Sequence, residues 1–141
     1  MKILKKLSLA LVTLLLLFSF TTPKEEYVGK WKGQDKSDIG FLTLTDDGYA
    51  IFEINGQIIG GRSYMQQGIN VYMRYIVNTG ISPAGIDFII YTKSDNVELA
   101  RMKGIIEMDS SDELHLALTF GSGSSRPSDF SKDNIIFNRV K

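Results

Sequence analysis

The sequence predicts an all-β protein, a small antiparallel up-and-down β-barrel of about eight or nine strands. Turn-forming residues recur at intervals of about 8–12 residues after position 22, the spacing of a sandwich or barrel. Between these turns apolar and polar residues alternate, and no run of about ten residues carries a helical period. The lone tryptophan, Trp31, stands near one end of this region and Arg139 near the other. A closed barrel brings its two ends together, so the indole can plug the floor while the guanidinium lies across its face. Closure also removes the edges that an open sheet exposes.

Residues 1–22 stand apart from this pattern. Lys2, Lys5 and Lys6 precede a mostly apolar run over 7–20, followed by Thr21, Thr22 and Pro23. That is the layout of a secretory signal peptide. The run falls short of the roughly 20 residues of a membrane-spanning helix. Ser19 and Thr21 make the best small pair for cleavage. The expectation is a leader over 1–22 and one barrel domain over 23–141, exported to the periplasm or the medium, with no membrane span once the leader is removed.

The strands follow in order. Residues 28–33 carry Gly29 and Trp31. Asp46-Asp47-Gly48 separates strands over 39–45 and 49–54, and Asn55-Gly56 ends the second; both dipeptides tolerate the positive φ of tight hairpins. In 69–77, Ile69, Val71, Met73, Tyr75 and Val77 share one face, with Asn70, Tyr72 and Arg74 on the other. Strands over 86–92 and 97–108 come next, with Gly104 read as a bulge in the second. In 113–120, Leu114, Leu116, Leu118 and Phe120 alternate with Glu113, His115, Ala117 and Thr119, as in a half-buried antiparallel strand. Residues 135–140 supply the last strand. Gly60-Gly61, Gln67-Gly68, 93–96 and 109–112 supply turns. Two segments read as loops: 78–85, where Pro83 cannot donate to a ladder, and 121–125, which leads into Arg126-Pro127-Ser128-Asp129-Phe130. Arg126 and Asp129 flank Pro127 and can pair to brace the entry to the last strand.

Composition excludes several functions. After position 22 there are thirteen basic and sixteen acidic residues, a net charge of −3, which suits neither nucleic acid nor an anionic membrane. With no cysteine there is no disulfide, thiol nucleophile or thiolate ligand. One histidine, His115, makes an ordinary zinc ligand set improbable, and no nucleophile-elbow motif accompanies it. No metal, cofactor or catalytic residue is assigned, and the chain is read as non-enzymatic.

Four segments together resemble the lipocalin-like domains of the calycin superfamily, and most closely an uncharacterised exported family of planctomycetes and Bacteroidetes. They are Gly29-Lys30-Trp31, Pro83-Ala84-Gly85-Ile86-Asp87-Phe88, the Gly104-Ile105-Ile106 strand with its Leu-rich successor over 114–118, and Arg126-Pro127-Ser128-Asp129-Phe130 followed by Arg139. The resemblance implies a barrel and supplies no catalytic residues. The Thr-Asp-Tyr motif and the disulfide of true lipocalins are missing.

Site residues are assigned on this frame. Gly29, Trp31 and Arg139 are read as structural closure, the alternative for Arg139 being an internal cation for a ligand carboxylate, with Arg74, Arg101 and Tyr75 as helpers. Asp87 is read as bonding the backbone of the preceding loop. His115 is read as a surface residue, and Asp109, Asp112 and Glu113 as a solvated hairpin tip. The leading functional expectation is binding of a small apolar or amphipathic molecule inside the barrel, lined by Leu42, Leu44, Phe52, Ile54, Val71, Met73, Tyr75, Phe88 and Leu116. The alternative is a filled barrel that acts in the envelope as an inhibitor of, or interaction module for, an unidentified protein partner through its surface or loops, with an exposed apolar patch near Tyr72, Tyr91 or 121–130. A barrel of eight strands is just wide enough for either.

Overall fold

The computed structural model describes residues 23–34, 38–119, 125–132 and 134–141. Its strands are β1 (Gly29–Gly33), β2 (Ile39–Leu44), β3 (Ala50–Ile54), β4 (Gln57–Gly60), β5 (Tyr64–Gln66), β6 (Ile69–Asn78), β7 (Ala84–Thr92), β8 (Glu98–Ser110), β9 (Glu113–Thr119) and β10 (Asn134–Arg139). A 3-10 turn, Pro23–Tyr27, precedes them. All ten belong to one antiparallel sheet in the order β4-β3-β2-β1-β10-β9-β8-β7-β6-β5. The first strand therefore pairs with the last, through Trp31↔Arg139, Lys32↔Asn138 and Gly33↔Phe137. The fold is the predicted all-β, up-and-down, nearly closed barrel. The predicted leader, Phe120 and the Gly/Ser stretch 121–124 lie outside the described residues.

The strand count is ten where eight or nine were expected. The additional strands, β4 and β5, have four and three residues, too few to show a period of two. They are two legs of one bent stretch. At the bend Gly60 has φ +118° and lies so close to β3 that a Cβ would stand 2.3 Å from the Ala50 carbonyl oxygen. The Gly61 N–H donates to that oxygen at 2.8 Å, and the Gly61 carbonyl accepts from the Met73 N–H at 3.0 Å. The barrel closes here. Tyr75 N–H to the Gly48 carbonyl (3.1 Å) and a Tyr49↔Arg74 bridge extend the closure.

Gly104 is not a bulge. Its register runs unbroken through Lys103↔Thr119, Gly104↔Leu118 and Ile105↔Ala117, and the irregularity of this pair falls between Met108 and Ser110. Glycine stands there because a Cβ would lie 2.6 Å from both the Ala117 carbonyl oxygen and Leu118 Cδ2.

Alternation sends Trp31, Leu42, Phe52, Met73, Phe88, Leu116 and Phe137 inward to a single core. Ile69, expected to share the inner face of β6, sits at the strand's mouth and is exposed. A second, smaller apolar layer lies outside the wall. Ile89, Ile105 and Ala117 point away from the core cluster yet are buried. Segment 125–132 crosses this face: the Thr119 hydroxyl donates to the Ser125 carbonyl (2.9 Å), and the Phe130 ring meets His115 edge-on with centroids 6.1 Å apart.

Candidate functional site

The floor is held by one aromatic ring and one guanidinium. Trp31 is fully buried, and its Nε1–H donates to the Tyr27 carbonyl at 2.9 Å. Arg139 Cζ lies 4.2 Å from the centre of the indole. The same guanidinium donates to the carbonyls of Ser111 (2.8 Å), Val28 (2.9 Å) and Glu26 (3.0 Å). It ties the 3-10 turn, the β8–β9 hairpin and the last strand into one plug. Gly29, with φ +144°, leaves room for it, since a Cβ would stand 2.7 Å from Nη1. Burial, then the nearby Glu26, pushes the Tyr27 phenol up to about 12.

The nine residues assigned to the lining share one interior, and eight of them are buried. Leu42, Val71, Phe88 and Leu116 expose nothing, and Leu44, Phe52, Met73 and Tyr75 expose 1–4 %. A side chain facing a void large enough for water keeps accessible surface on that side, so the interior along these eight is packed. Phe52 and Phe88 meet edge-to-face with centroids 4.8 Å apart, joining β3 to β7 across β6. Ile54 is only partly buried, at the mouth. The Tyr75 hydroxyl donates to the Thr45 carbonyl at 2.7 Å. Arg74 lies outside the wall, its Cζ 4.9 Å from the Tyr49 ring centre.

Arg126 and Asp129 do not pair. Arg126 reaches back to β7, where its Nη2 lies 2.7 Å from an Asp87 oxygen, and its Nη1–H donates to the Gly104 carbonyl at 2.8 Å. Asp129 instead accepts from the Ser131 N–H, and its hydrogen bonds to Ser131 hold its carboxyl below the usual range. Asp87 likewise departs from the expectation that it bonds loop backbone. Its second oxygen lies 2.8 Å from Arg101, which also binds Glu98 at 2.7 Å. The hydrogen bond from Arg101 lowers the Glu98 carboxyl. Gly85 makes the slot for Arg126, because a Cβ there would be 3.2 Å from Nη1. Two segments of the resemblance, 83–88 and 126–130, thus lock onto each other.

A polar-aromatic cluster lies on the outer wall. Cross-strand partners Tyr72 and Tyr91 stack with centroids 5.2 Å apart and planes 19° off parallel. Tyr49 lies 6.3 Å from Tyr72, and Arg62 and Arg74 sit 4.7 and 4.9 Å from its ring centre. Lys93 lies 5.9 Å from the Tyr72 ring centre, and the Tyr72 hydroxyl donates to Asn96 at 2.8 Å. All three tyrosines are half-buried. The sequence offered Tyr72 and Tyr91 as an apolar patch; what forms is a tyrosine row edged by cations. Tyr49 and Arg62 were missed because the closure that brings them to β6 is set by Gly61, far from any repeating pattern.

On the β8–β9 hairpin, Asp109, Glu113 and His115 bring donor atoms within 4.8 Å of one another. His115 is half-buried and its Nε2 lies 2.8 Å from Glu113. The register irregularity between Met108 and Ser110 falls at Asp109. Asp112 lies instead beside Arg139 and Lys141.

No protein-family model matches the chain, and neither a curated protein nor a solved structure matches it.

Proposed function

We propose that this chain is an exported, non-enzymatic, lipocalin-like barrel that acts through its outer wall as a protein-interaction module. The observation that carries this reading is the outer cluster of Tyr49, Tyr72 and Tyr91 with Arg62, Arg74 and Lys93. Tyrosine and arginine are the side chains enriched at the energetic centres of protein interfaces, because they offer large, stiff contact area together with polar tips. The packed interior supports the same reading: an apolar ligand inside the barrel would have to displace Phe52, Met73 or Phe88 from mutual contact. The basic start and apolar run over 1–20 support export.

Two measurements test the proposal. A photo-crosslinking amino acid in place of Tyr72, in the full chain expressed in its own cells, is expected to give one adduct of defined mass that is lost with Tyr91→Ala. Purified barrel is expected to show no displaceable binding of a fluorescent fatty-acid probe. A diffuse smear of adducts with saturable, displaceable probe binding would return the internal-ligand reading.

A further inference from the structure

Among the described residues, the barrel wall is interrupted at one place. β4 and β5 are consecutive in the chain, yet they are the two strands of the sheet that do not pair with each other. Gly61 pinches β3 to β6 by its two backbone hydrogen bonds. Beyond the pinch β4 follows β3 through Phe52↔Ile59 and Ile54↔Gln57, while β5 follows β6 through Tyr64↔Val71 and Gln66↔Ile69. The two hairpins diverge toward their Asn55-Gly56 and Gln67-Gly68 turns, leaving a notch with a free strand edge on each side. Among the described residues, the main chain of Gln57–Ile59 and of Tyr64–Gln66 has no hydrogen bond outside its own hairpin.

The edges carry few of the usual guards. Gln57-Ile58-Ile59-Gly60 and Tyr64-Met65-Gln66 contain no charge and no proline, where natural edges are blunted by lysine, proline or bulges. Shortness is the one safeguard present. Among the described residues, Ile58 and Met65 are the two most exposed large apolar side chains, at 70 % and 65 %. At the notch Ile54, Ile59 and Tyr64 are only partly buried against the core.

We propose that this notch is a strand-accepting site for an extended, uncharged, alternately apolar segment of a partner polypeptide. A strand laid between β4 and β5 would hydrogen-bond on both sides, as in strand addition to a sheet edge. Its inward residues would cover Ile54, Ile59 and Tyr64, and its outward ones would meet Ile58 and Met65. The site is separate from the tyrosine face and stands whether or not that face binds anything.

The test is an amide NMR titration of the barrel with a blocked Gln-Thr-Val-Thr-Val-Thr-Gln peptide and a control with proline in place of each valine. The first peptide is expected to shift and slow the exchange of the amides of Gln57–Gly60 and Tyr64–Gln66, and the control to leave them unmoved. Ile58→Lys and Met65→Lys alter side chains that face solvent, so the fold is retained, and each is expected to weaken the peptide by about tenfold through a charge on the edge. The proposal is overturned if the two peptides act alike, if the shifts are confined to Tyr49, Tyr72 and Tyr91, or if the protein alone is a dimer whose β4 and β5 amides are already protected.

Discussion

Arg126 shows how one side chain can join distant parts of a barrel. Its guanidinium binds Asp87 on β7 and the Gly104 carbonyl on β8, and so ties segment 125–132 to the outer face of the sheet. Both partners are shielded, with Arg126 27 % and Asp87 15 % exposed at the side chain, so these bonds retain more strength than a solvated pair. Arg126→Ala is expected to cost about 2 kcal/mol, and Arg126→Lys to recover little, since an ammonium cannot reproduce the fork. Asp129→Ala, which touches only its own turn, is expected to cost about 0.5 kcal/mol or less. Urea midpoints at constant slope measure both. At this scale the sequence was half legible. Trp31 and Arg139 could be matched because barrel closure requires the two ends to meet. The partner of Arg126 could not be read, because Asp129 is near in sequence while Asp87 becomes near only through the crossing of 125–132 over the sheet.

Strands were legible where they are long enough to alternate. β6 and β9 lie close to their predicted spans because apolar and polar residues alternate along them with a period of two, whereas β7 and β8, which bury Ile89 and Ile105 on the outer face as well, were bounded by their turn residues. β4 and β5 were lost because they are too short to alternate, and with them the notch and the pinch at Gly61. Gly104 illustrates how a glycine in a strand can carry either of two meanings: a register shift, or close approach of another group. Here Leu118 and the Ala117 carbonyl occupy the space of a Cβ. Gly104→Ala is therefore expected to destabilise by about 1–3 kcal/mol through overpacking, where an alanine in a true bulge with open space would be tolerated. Thermal unfolding checks it, and an unchanged midpoint would mean that β8 and β9 can part at no cost.

For the whole molecule, the decisive question is whether the barrel is a container or a solid body. Ten strands around one wall can enclose either, and sequence alone cannot choose, because inward aromatic and aliphatic residues line a cavity as readily as they fill one. The near-zero exposure of Leu42, Val71, Phe88 and Leu116 favours the solid body, as does the contact of Phe52 with Phe88. A packed core gives a distinctive response to truncation. Phe88→Ala is expected to cost about 3–5 kcal/mol, the lost transfer energy of the ring plus that of the cavity it leaves. The new cavity would be lined by apolar side chains and would stay dry, so the variant should take up a small aromatic such as toluene and regain part of its stability. The unsubstituted protein has no such space along these side chains and should show no stabilisation by toluene. Urea unfolding of both proteins with and without toluene reads the difference directly. Equal stabilisation of the two would mean that the barrel already opens to apolar guests, and the function would then have to be sought inside it.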